Sequence, residues 1–179
     1  MEQKRILILG IGNILFTDEG VGIRVIERLQ QLYEFPDNVS IIDGGVLGLG
    51  LLSFLTEADY LVVVDAVKKG GEPGSLYRLE GDEVPKRILA KNSLHQVDFL
   101  ETLMSCQILD KVPETVILGI EPLDIETLSI ELTPKIQAKV DTLVDMVLKE
   151  LDQLSVSYLK RCSPVVKRDD IKWCDDFIP

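Results

Sequence analysis

Glu19, Asp65 and His95 are the residues of this chain best suited by type to metal or acid–base chemistry, and His95 is its only histidine. Two carboxylates and a neutral imidazole suit a divalent transition ion and leave positions open for other groups. Ligand softness does not choose among nickel, zinc, iron and manganese. Asp43 ends another apolar run and is followed by Gly44-Gly45. It is a candidate contact for a bound peptide, although a strand-to-loop turn explains the same residues, because glycine permits positive φ. Asp18 and Glu121 bring further carboxylates to the ends of apolar segments. Carboxylates gathered in one place repel unless a cation or protons relieve them. The plainer alternative is that Asp65 caps a strand, Glu19 is a solvated carboxylate at a helix start, and His95 caps a helix.

These residues take their meaning from the elements that hold them. Arg5–Gly10 is a continuous apolar run, as expected of a strand buried on both faces. Gly10-Ile11-Gly12-Asn13 breaks it, and helical spacing runs from about Gly20 to Tyr33, with Asp18 where an N-cap would stand. Pro36-Asp37-Asn38 is a turn, Val39–Ile42 a second strand, Leu49 to Leu55 a short helix, and Tyr60–Val64 a third strand. Alternation of strand and helix predicts βαβ units and a parallel sheet. Ser75–Leu79 follows a loop too short for a crossover helix, which makes it an antiparallel edge strand. A helix from about Gln96 to Cys106, a strand at Thr115–Ile120 and a long helix from Pro134 to Leu154 complete the pattern. The fold class is α/β: one domain over residues 1–154, then a tail over 155–179 without clear periodicity. In such sheets ligands bind outside the carboxyl ends of the strands, where Glu19, Asp43, Asp65 and Glu121 all fall.

Composition narrows the function. The net charge of −11 disfavours nucleic acid and anionic membrane surfaces and favours a basic protein face. Three scattered cysteines form no Cys-x-x-Cys site and fit a reducing compartment. The run from Ile6 to Phe16 lacks a signal-peptide cleavage site, no segment has the length of a spanning helix, and a cytoplasmic location is expected. Gly10-Ile11-Gly12 invites a dinucleotide reading, but Leu15 stands where the fingerprint needs a third glycine. There is no phosphate-binding loop motif and no Gly-x-Ser-x-Gly elbow.

In order along the chain, Gly10-Ile11-Gly12-Asn13-Ile14-Leu15, Thr17-Asp18-Glu19-Gly20-Val21-Gly22, Asp43-Gly44-Gly45, Asp65-Ala66, Ser93-Leu94-His95-Gln96 and Gly119-Ile120-Glu121-Pro122 resemble the endopeptidases that mature nickel–iron hydrogenases. The resemblance covers roughly Lys4 to Leu154. It implies a twisted, mostly parallel five-stranded sheet between helices, a three-layer sandwich. It also implies removal of a C-terminal extension from the nickel-loaded precursor of the hydrogenase large subunit, by a monomer. By matching positions, Glu19, Asp65 and His95 are implied as nickel contacts, with nickel carried by the precursor, and Asp43 as a carboxylate near the substrate. Catalytic duty then falls to Asp43 and Glu19, in an aspartyl-protease-like manner. Many relatives carry Asp-Asp where this chain has Asp18-Glu19, so Asp18 is a candidate to share or replace the role of Glu19. A non-enzymatic nickel chaperone for hydrogenase assembly is the alternative from another class. Peptidyl-tRNA hydrolase, which shares the glycine turn, would require an Arg-His-Asn element and a basic RNA face that this chain lacks.

Overall fold

The computed structural model describes residues 3–45, 48–81, 83–84, 102–103 and 105–161. In chain order the elements are β1 (Ile6–Ile11), a 3-10 turn (Thr17–Gly20), α1 (Val21–Leu32), β2 (Tyr33–Glu34) and β3 (Val39–Gly45). A second 3-10 turn (Gly48–Leu51) then runs into α2 (Leu52–Glu57), followed by β4 (Tyr60–Ala66), β5 (Leu76–Glu80) and β6 (Glu114–Ile120). The chain continues through α3 (Pro134–Gln137), α4 (Val140–Gln153) and β7 (Leu159–Lys160). No helix among the described residues is long and apolar enough to cross a membrane.

Five strands form one sheet in the order β3-β1-β4-β6-β5. All its pairings are parallel except β5 with β6, where Leu76 lies opposite Ile120. Side chains alternate between two cores. Ile6, Ile8, Val62, Val64 and Leu118 pack with Val25, Ile26 and Leu29 of α1 and with Leu143, Val144 and Val147 of α4. On the other face Leu7, Leu9, Leu61, Val63 and Ile117 pack with Leu51, Leu55 and Cys106. Helices therefore cover both faces, which is why β1 and β4 are apolar at nearly every residue. The result is the expected three-layer α/β sandwich.

The chain begins in the middle of the sheet, goes to the β3 edge, and returns past β1 to β4. Right-handed crossovers in opposite directions place α1 on one face and α2 on the other. The strand order thus reverses beside β1, and the crevice outside the carboxyl ends of β1 and β4 is the natural ligand site.

Two features differ from the sequence reading. The expected single helix from Pro134 to Leu154 is two segments, because the hydrogen-bond ladder tightens at Lys139, whose N–H donates to Ile136 O at 2.9 Å. Apolar spacing cannot reveal the break, since Ile136 and Val140 remain four residues apart and both are buried. Beyond Leu154, ordered structure runs on to Arg161: β7 pairs antiparallel with β2, and Tyr158 packs edge-on against Tyr33. Residues 162–179 of the expected tail, and most of the expected helix from Gln96 to Cys106, lie outside the described residues.

Candidate active site

Glycines bring the chain after β1 onto the strand ends. Gly12 has φ +138, a conformation L side chains rarely adopt, and a Cβ there would overlap the carbonyl oxygen of Glu19. A Cβ on Gly22 would overlap the carbonyl oxygens of both Val64 and Ile11. The first turn of α1 therefore rests directly on the ends of β1 and β4. Glu19 lies three residues before Gly22, and Asp65 one residue after Val64, so the backbone segments that carry them are close. Glu19 is half-buried, and Asp65 is 7% exposed, the one carboxylate in the strand. In open α/β sheets ligands gather at the carboxyl ends of the strands, the end at which Asp65 stands.

Asp43 reaches the same rim by another route. It is exposed on the edge strand β3, opposite Gly10, which in turn lies opposite Val64. Side chains alternate along a strand, so Asp43 shares the face of Val64 whereas Asp65 belongs to the other face. Register shifts immediately after Asp43, where Ile11 pairs with Gly45, and Gly45 has φ +38. The Asp43 carboxylate leans toward this turn: a Cβ on Gly45 would sit 3.3 Å from Asp43 Oδ1. The structure sets Glu19 in the turn after β1, Asp65 in the central strand β4 and Asp43 on the exposed edge strand β3. His95, the expected imidazole ligand, lies outside the described residues. Among the described residues no group of three or more His, Cys, Asp and Glu is placed to hold a metal ion.

Two other acidic residues of the rim prove to be structural. Asp18, read from the sequence as a helix N-cap and as a candidate to share the role of Glu19, does not cap the helix. Gly20 is the N-cap of α1, and no side chain bonds to it there. The Asp18 carboxylate is fully buried and accepts from Leu123 N–H at 2.9 Å, Asp124 N–H at 3.0 Å, Thr133 N–H at 2.8 Å and the Thr133 hydroxyl at 3.0 Å. Its oxygens are committed to the 121–133 loop. The local sequence shows no signal for this role, because the donors lie more than a hundred residues away.

Thr17 reinforces the same join. It holds φ +27, costly for a β-branched residue, while its N–H donates to Ser129 O at 2.9 Å and its hydroxyl to Asp124 O at 2.6 Å. Glu121 secures the opposite side. Its carboxylate accepts from Lys69 N–H at 2.8 Å, Gly70 N–H at 3.1 Å and the Tyr77 hydroxyl at 2.8 Å. Burial pushes its pKa up, but these donors outweigh burial and hold the carboxyl below the ordinary glutamate value.

The family described as hydrogenase maturation protease (HycI) matches residues 23–150. Hydrogenase expression/formation protein HupD of Bradyrhizobium diazoefficiens is 41% identical over 170 residues, covering 94% of this chain and 88% of that protein. Hydrogenase 2 maturation protease of Escherichia coli is 38% identical over 159 residues, covering 88% of this chain and 96% of that protein. The solved structure of the hydrogenase maturating endopeptidase HybD from E. coli superposes with a TM-score of 0.84 at 36% identity, over 88% of this chain and 98% of that one.

Proposed function

The chain belongs to the hydrogenase maturation protease family, and from that premise we propose that it removes the C-terminal extension of the nickel-loaded precursor of a nickel–iron hydrogenase large subunit. The endopeptidase role in hydrogenase maturation follows from the family. The finer reading is supported by one observation above others: Gly22 seats the first turn of α1, just after Glu19, against the strand that carries Asp65, at the switch point of the sheet.

In this reading nickel arrives as part of the substrate. Carboxylate oxygens from Glu19 and Asp65, with the imidazole of His95, form a donor set suited to a divalent transition ion. They hold the loaded precursor so that its scissile peptide lies at the rim, a proximity effect. Asp43, exposed at the β3 edge, takes a proton from the attacking water as general base. The water oxygen bonds to the carbonyl carbon, the C–N bond breaks, and the leaving nitrogen takes the proton. The protein acts as a monomer in the cytoplasm.

The test is processing of nickel-loaded precursor by Asp65→Asn and His95→Ala variants, followed as the shortened product. Both are expected to slow cleavage by at least about tenfold. A His95→Ala protein that processes at the wild-type rate overturns the assignment of His95.

A further inference from the structure

Five large apolar side chains stand exposed on two segments beside the crevice: Ile14 and Leu15 before the 3-10 turn, and Leu123, Leu128 and Ile130 on the 121–133 loop. Leu128 is 73% exposed and Ile130 62%. The segments are tied to each other, since Ser129 N–H donates to Leu15 O at 3.0 Å, Thr17 N–H to Ser129 O, and Phe16 bridges to Leu128. Arg24 from α1 donates to Ile130 O at 2.6 Å, and Asp18 holds the start and end of the loop. So many backbone restraints under an apolar outer surface are the mark of a preformed binding face, because ordering it in advance lowers the entropy lost on association.

Charge says what the face fits. Residues 13–20 and 121–133 contain no Lys or Arg, yet carry Asp18, Glu19, Glu121, Asp124, Glu126 and Glu131. Asp18 and Glu121 are buried and spent on backbone donors. Glu126 and Glu131 are exposed beside the apolar residues, and Asp124 and Glu19 are half-buried among them. The 13–17 segment runs directly into the turn that carries Glu19, whose N–H donates to Phe16 O at 2.8 Å, and a chain of net charge −11 adds long-range attraction for cations.

We propose that the joined 13–17 and 121–133 segments form the docking lip for a basic, apolar stretch of the precursor that flanks the scissile bond. The inference rests on the reading of the chain as the precursor's protease. Apolar side chains of the substrate cover Leu128, Ile130 and Leu123, and its Lys or Arg residues meet Glu126 and Glu131. Docking there lays the flanking chain across the switch-point crevice.

Binding of purified large-subunit precursor, measured separately from cleavage, tests this with Leu128→Ser/Ile130→Ser and Glu126→Lys/Glu131→Lys double variants. The substituted side chains are exposed, so thermal unfolding is expected to match the wild type. The apolar variant is expected to weaken binding by about tenfold. The charge-reversed variant is expected to bind more weakly and to lose much of the wild-type salt dependence. Should the apolar variant fail to fold, the charge-reversed variant decides. Wild-type affinity in a folded variant of either kind overturns the lip. Wild-type protein that binds precursor but never cleaves it sinks the protease reading and leaves the lip standing. Absence of both binding and cleavage overturns both.

Discussion

Asp18 and Thr133 are joined twice: the Thr133 N–H donates to Oδ1 at 2.8 Å and its hydroxyl to Oδ2 at 3.0 Å. Together with the Leu123 and Asp124 N–H groups, this pair fastens the loop after β6 to the turn that carries Glu19. Asp18 thus holds structure, and the proposed reaction gives its neighbour Glu19 the contact with substrate. Asp18→Ala, which strips a buried carboxylate from four donors, is expected to cost about 3 kcal/mol or more of stability. Glu19→Gln is expected to cost about 1 kcal/mol or less, yet to slow processing by at least about tenfold. Urea unfolding and precursor cleavage, measured on both variants, check the division.

Gly22 is expected to resist even the smallest change. In Gly22→Ala the new methyl meets two backbone carbonyls, Val64 O and Ile11 O, neither of which can swing away as a flexible side chain would. A loss of about 3 kcal/mol is expected. Gly70→Ala is the contrasting variant: a Cβ there meets nothing within 4 Å, so its cost comes only from φ +80 and is expected near 1 kcal/mol or a little more.

The framework was legible in the sequence because parallel strands buried on both faces are unbroken apolar runs, and those of β1, β4 and β6 stand out at once. The antiparallel β5 was legible because the connection before it is too short for a helix. Asp65 in β4 and Glu19 in the turn after β1 lie where the apolar runs predict the strands to give way to loops. What could not be read were the long-range pairings. Asp18 has its partners at Leu123, Asp124 and Thr133, and β7 finds β2 across more than a hundred residues. Local periodicity carries no trace of such contacts. The break between α3 and α4 was hidden because the apolar spacing continues through it.

Glu121 links pH to the loop between β4 and β5. Its folded pKa lies below the unfolded value, so its stabilising contribution is present above the unfolded pKa and is lost as pH falls through the folded one. Urea unfolding of wild type and Glu121→Gln from pH 7 downward is expected to show the wild type clearly more stable near neutrality. The gap should close on acidification below the ordinary glutamate range. A gap that stays constant with pH would contradict the role given to Glu121.

At the far side of the sheet, buried Glu150 of α4 accepts from Arg78 Nε at 2.7 Å and Nη2 at 3.1 Å, and from the Tyr60 hydroxyl at 3.3 Å. Burial first, and Glu150 second, push the Tyr60 phenol up to about 12. Glu150→Ala is expected to cost about 3 kcal/mol, the lower end for breaking a buried pair, because Arg78 keeps Glu80 as a partner. Spectrophotometric titration of the same variant should show the Tyr60 phenol titrating below its wild-type value but still above the ordinary tyrosine value, because burial, the larger cause, remains.

The central claim is cleavage of a precursor that brings its own nickel. The direct measurement is the intact mass of a candidate large-subunit precursor after incubation with this protein, once loaded with nickel and once without. The account predicts loss of a defined C-terminal peptide from the nickel-loaded precursor alone. An unchanged mass in both, with tight nickel binding by this chain itself, would contradict it and identify a nickel chaperone instead.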